Sequence, residues 1–146
     1  MDIAGSLSPH HTTDDLARPE WLTFKAAFKA RWGRDPSAAS EFAYSSMRVI
    51  LRGIDAVKGD ISNPTALVDA MLKVDMTDDP RGPVSLDPTW HSAIENVYIR
   101  EVALDADGKL YNKGIWTIEN VSQFGPYDPD LYLKQPSDGN QYPPDN

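Results

Sequence analysis

The sequence contains no cysteine, which excludes disulfides, thiol catalysis and zinc sites built on thiolates. It has no cluster of Lys and Arg. The net charge of -8 and a pI near 4.7 argue against nucleic acid as a partner, because a phosphate-binding surface needs concentrated positive charge. No apolar run approaches the ~20 residues of a membrane-spanning helix. Met1 to Pro9 carries neither a basic start nor an apolar core, so no secretory leader is expected there and a native start at Met1 would mean a cytoplasmic chain. Gly-x-Ser-x-Gly, a P-loop and Gly-x-Gly-x-x-Gly are missing as well, which removes common frames for acyl transfer and nucleotide binding.

What is present suits one globular domain. The chain has 146 residues, 40% hydrophobic and 25% charged, enough for a real core. It is organised around Asp35 to Val57, which reads as a long amphipathic helix. Asp35 is placed to cap free N–H groups, and Pro36 suits the first helical position, where no N–H is needed. Ala43, Met47, Ile50, Leu51, Ile54 and Val57 recur at helical spacing and form one apolar stripe, which must lie on a sheet or on other helices. Arg48, Arg52 and Asp55 fall off that stripe and are expected to face water.

Before this helix, Ile3 to Leu7 reads as the end of a buried strand and Ser8 to Asp15 as a polar loop. Trp21, Phe24, Phe28 and Trp32 mark a first helix over Pro19–Trp32, with Gly33 placed to end it. After the long helix, Asn63 caps a third helix over Pro64–Lys73. Arg81-Gly82-Pro83 is a turn and Val84–Leu86 a short strand. Asn96–Leu104 and Lys109–Ile118 form a β-hairpin across Asp105–Gly108. Twelve prolines, four of them after Pro126, mark an extended tail over residues 121–146. Read alone, the chain is three helices, then a hairpin and a Pro-rich tail: a single partial domain with a helical part (1–80), a short strand and hairpin (81–120) and a tail (121–146). Three helices without apolar strands between them lack the sheet such helices normally cover.

No catalytic constellation assembles. His10 and His11 are adjacent and point apart in an extended chain, so a metal site would need His91 or Asp14 as well. Asp14-Asp15 and Asp78-Asp79 lie in turn-like contexts, where Asp caps backbone groups. No metal ligand set and no cofactor is assigned, and an enzyme is the least favoured class.

The order of segments nevertheless resembles a known family. Phe24 to Phe28, then Trp32-Gly33-Arg34-Asp35-Pro36-Ser37 and Phe42-Ala43-Tyr44 are similar to a passage of the ABC-transporter substrate-binding proteins. These are the type I periplasmic binding proteins for branched-chain amino acids, amides and related small polar molecules. The likeness continues through Pro64–Lys73, Arg81 to Asp87, His91, Val97 to Val102, Asp107 to Lys109 and Val121 to Tyr127. It covers the C-terminal part of the family pattern. The resemblance implies an α/β fold, partial here, and a periplasmic solute-binding component of an ABC importer. Its partners would be a small polar solute and permease subunits. It places ligand contacts at Ser8, His10 and His11 and at Ala39, Ser40 and Tyr44. Where the resemblance sets an aromatic residue, this chain has Ala39. Two other readings remain: a cytoplasmic amide or amino-acid sensor of the same fold, and a protein-interaction module. Apolar faces left without a sheet imply self-association, a homodimer among its forms.

Overall fold

The computed structural model describes residues 3–134. Its elements run β1 (Leu7–His10), α1 (Pro19–Trp32), α2 (Ala38–Ala56), α3 (Pro64–Met71), β2 (Asp75–Met76), β3 (Val84–Leu86), β4 (Ala93–Leu104), β5 (Leu110–Val121) and α4 (Pro129–Leu133). All strand pairings are antiparallel. Along the sheet the order is β1-β4-β3-β2, while β5 takes the opposite edge of β4. β4 is therefore the spine, joining three other strands.

β1 departs from the sequence expectation. The strand lies over Leu7–His10 rather than Ile3–Leu7, and Leu7 is 64% exposed rather than buried. Gly5, at φ 84°, turns the chain just before it. Its partner is distant: Leu7 faces Glu101 and His10 faces Tyr98. Pairing with β4 thus overrides the local polar, proline-containing signal, and Pro9 is tolerated because β1 borders the sheet. The loop that follows binds the outer edge of β5. Thr13 Oγ1 donates to the Asn112 carbonyl at 2.6 Å, Asn112 N–H donates to Asp14 at 2.8 Å, and Gly114 N–H donates to Asp15 at 2.9 Å. An otherwise open edge is covered there.

α1 spans the expected residues, and Gly33 ends it in the left-handed region at φ 68°, its N–H returning to the Lys29 carbonyl. A Cβ would be strained at that angle. Trp21 and Phe24 are buried, whereas Trp32 is 60% exposed. α2 starts two residues later than expected, at Ala38 rather than Pro36. Ser37 is its cap, closing a reciprocal capping box with Ser40, and this outcompetes Asp35 and Pro36. Asp35 instead lies 3.3 Å from Lys29.

The orientation of α2 overturns the expected division of its faces. Tyr44, Met47, Ile50 and Leu51 are exposed, while Glu41, Ser45 and Gly53 are buried. Arg48 and Arg52 turn to the 75–79 segment: Arg52 donates to both carboxylate oxygens of Asp78, at 2.7 and 2.8 Å, and Arg48 also donates to Asp78. A polar stripe at the same helical spacing, Glu41, Ser45, Arg48 and Arg52, thus finds partners within the chain. Gly53 makes the α2–α3 contact close, since a Cβ there would fall 2.4 Å from Met71 Cγ.

α3 ends at Met71, short of Lys73, and Asn63 caps it as expected, accepting from the Ala66 N–H at 3.1 Å. The hairpin is present, with both strands longer than the sequence signals suggest. β2, of two residues, gave no periodic signal. Over its described part the tail is not simply extended: Phe124 is buried against Trp90 and Tyr132, and a short helix follows from Pro129. The rest of the expected tail lies outside the described residues. Among those described, no helix is long and apolar enough to cross a membrane.

Candidate functional site

The side chains that sequence reasoning singled out divide into two groups. Ser8, His10 and His11 lie on or just after β1, and the two histidines meet Phe42 near the start of α2. The His10 ring stacks on Phe42, and the His11 ring meets Phe42 edge-on at 6.0 Å. Ala39 and Ser40 belong to the first turn of α2, Ser40 being engaged in the capping box. Ser8 faces Arg100 across the β1–β4 ladder, and Arg100 donates to its hydroxyl at 3.2 Å and to the Thr12 carbonyl at 3.3 Å. Tyr44 is elsewhere. Its ring packs on Phe24 of α1 at 4.8 Å, and Arg48 lies over it. There it borders a groove of about 360 Å³ with Glu20, Thr23 and Pro80. Two residues along a helix point to different sides, so Phe42 and Tyr44 cannot serve one site.

Behind the His10–Phe42 contact sits a buried ionic network that sequence reasoning missed. Arg81 lies over the Phe42 ring at 5.0 Å. Its Nη2 is 2.9 Å from Glu95 of β4, and its Nε is 3.5 Å from Asp79 and 3.7 Å from Glu41. Glu95 in turn meets His11 Nδ1 at 2.9 Å. The Tyr98 hydroxyl donates to the Arg81 carbonyl, and burial pushes that hydroxyl above its usual range. Gly82 takes φ 122° where a Cβ would sit 3.0 Å from both Asn96 and Tyr98, so the turn carrying Arg81 admits no side chain there. Burial, then the nearby Arg100 and His11, hold the His10 imidazole below its ordinary value, with Asp14 opposing. His91 is exposed in the turn before β4. Among the described residues no group of three or more His, Asp or Glu is arranged to hold a metal. The one sequence signal for the network was the spacing of Glu41, Ser45 and Arg48, a second helical stripe.

In chemical terms, the junction offers flat ring faces beside a buried ionic interior. Flat ring faces of this kind suit the stacking of a ligand group. Helices beside a sheet built on β4 make this an α/β architecture. Residues 2–109 match the family described as periplasmic binding protein, and the chain belongs to it. Over 83 residues the chain is 42% identical to the Leu/Ile/Val-binding protein homolog 6 of Brucella abortus (strain 2308), covering 57% of this chain and 21% of that protein. An ABC transporter substrate-binding protein from Sphaerobacter thermophilus superposes with a TM-score of 0.76 at 27% identity, over 81% of this chain and 32% of that one. A solute-binding protein of an ABC transporter from R. palustris, solved with 4-hydroxybenzoate, gives 0.73 at 35% identity over 81% and 32%. The chain thus spans about a fifth of the curated relative and about a third of these solved structures. These relatives are solute-binding proteins rather than enzymes, and the family fold is α/β, as the resemblance implied.

Proposed function

We propose that this chain forms part of the solute-binding component of an ABC-type importer, working in the periplasm and delivering a small polar solute to permease subunits. In this reading residues 1–80 supply helices that flank a lobe's parallel sheet, residues 81–120 supply a strand and hairpin, and residues 121–146 the closing tail. The observation that carries it is the junction of β1 with the first turn of α2. There His10 and His11 meet Phe42; with Ser8 on β1 and Ala39 and Ser40 at the start of α2, they would form one wall of a cleft whose opposite wall the rest of a longer protein would supply. The exposed face of α2, with Met47, Ile50 and Leu51, is where that protein's sheet would rest. Tyr44, packed on Phe24, serves that fold rather than the solute.

The solute class favoured by the sequence is a branched-chain amino acid or amide. A second class, an aromatic carboxylate, is supported by the flat stack of His10 on Phe42 and by the 4-hydroxybenzoate of a relative 35% identical. Thermal melts of the 146-residue chain with leucine, valine, acetamide, benzoate and 4-hydroxybenzoate, beside light scattering, test the proposal. A chain carrying one cleft wall shows no upward shift with any of them and a tendency to associate. A cooperative monomer whose melt rises with one ligand would mean that it builds a complete site alone and would identify the class.

A further inference from the structure

Glu41 and Asp79 are both fully buried, and both carboxyls sit beside the same guanidinium nitrogen, Arg81 Nε. One comes from the first turns of α2, the other from the turn that feeds β3. Glu41 Oε1 accepts from the Ser45 hydroxyl at 2.6 Å and lies 3.7 Å from Arg81 Nε. Asp79 Oδ1 accepts from the Arg81 backbone N–H at 3.3 Å and lies 3.5 Å from its Nε. Glu41 Oε2 and Asp79 Oδ2 remain, each buried without a donor. Arg48 Nη1, 3.7 Å from Asp79 Oδ2, is too far to hydrogen-bond. Two buried acids beside one guanidinium, each with an orphan oxygen, are satisfied together if they share a single proton.

We propose that Glu41 and Asp79 share one proton, with Glu41 Oε2–H donating to Asp79 Oδ2, and that this acid pair is a proton-dependent clasp holding the start of α2 to the turn that enters the sheet. The surrounding charges favour it. Arg81 faces three carboxyl groups, those of Glu41, Asp79 and Glu95, and its best contact goes to Glu95. The other groups around the pair are Ser45 and Arg48 from α2, Tyr98 from β4 and, through Glu95, His11 beyond β1. One guanidinium and a distant second cannot neutralise every ionised carboxylate there. Burial is the largest influence and, with Asp79 adding to it against Ser45 and Arg81, pushes the Glu41 carboxyl up to about 7. A raised carboxyl stabilises the fold fully below its ordinary value of 4.5, and that contribution is lost as pH rises through about 7. The clasp therefore tightens in mild acid and loosens in mild base.

The variant Glu41→Gln fixes the protonated arrangement, because its amide oxygen can accept from Ser45 and its NH₂ can donate to Asp79. Urea denaturation of the full chain and of E41Q is compared at about pH 5 and about pH 8, which cancels the histidines common to both. The folding equilibrium of the unsubstituted chain, relative to E41Q, is expected to fall on the order of a hundredfold between those conditions. A ratio that does not change overturns the clasp. Carboxyl ¹³C NMR gives a second reading on the unsubstituted chain, usable even if E41Q does not fold. A Glu41 titration near neutrality supports the shared proton, and one in the ordinary glutamate range refutes it.

Discussion

The His10 ring lies flat on that of Phe42, 5.7 Å between centroids and 10° between planes. The contact joins the strand that opens the chain to the helix that organises it, and Arg81 lies over the same Phe42 ring. A single aromatic side chain thus couples the surface of the junction to the ionic network beneath it.

His10 should report this environment directly. Its imidazole is held below 6.5 mainly by burial and then by Arg100 and His11, so the folded state binds its proton less readily than the unfolded one. The contribution to stability is present above about pH 6.5 and is lost as pH falls through the lowered value. Histidine ring NMR should give a His10 midpoint below 6.5, moving upward in Phe42→Ala as the ring becomes more exposed. A midpoint at or above the ordinary value contradicts the stack.

Gly53→Ala should destabilise the chain although alanine is the better helix former. The helix gain is about 1 kcal/mol, but the new methyl would meet Met71 Cγ at 2.4 Å and Met71 N at 3.4 Å, and overpacking costs ~1–3 kcal/mol. Urea denaturation should show a net loss of about 1 kcal/mol, partly recovered when Met71→Ala is added. A more stable G53A would mean that α2 and α3 separate freely.

Tyr98→Phe removes the hydroxyl that donates to the Arg81 carbonyl while keeping the buried ring. The expected cost is ~1 kcal/mol, with an unchanged denaturant slope because the same surface is buried. An effect indistinguishable from zero would assign the turn's position to Gly82 and the Arg81 ion pairs instead.

The double variant Met47→Glu and Leu51→Glu probes the outer face of α2, where each residue is 52% exposed. Stability of the chain should change by no more than ~0.5 kcal/mol, while light scattering should show less self-association. Unfolding of the variant would mean that this face is used within the chain.

The parts of the fold legible in the sequence are those with local causes. Gly33 and Asn63 mark helix ends through geometry that involves their own neighbours, and the Asp105–Gly108 turn lies between two strands that meet across it. β1 was legible only in part, since the partner that makes it a strand is β4. The two faces of α2 are the reverse of what hydrophobicity alone implies, because its polar stripe is the one that finds partners inside the chain. Glu41 and Arg48 are paired by residues some thirty to forty positions downstream, in a turn, and nothing in their spacing announces those partners. The candidate site suffered in the same way: His10 and His11 stood out by type, whereas Phe42 and Arg81 acquire meaning only from what lies against them.

The pairing of β1 with β4 also sets the order in which this chain can become ordered. α1, α2 and α3 precede β4 along the chain, so β1 has no β4 to pair with until all three have been synthesised. Contacts spanning most of a chain are the slow ones to close, and a nascent product halted before Arg100 would lack the opposite strand that Ser8 requires.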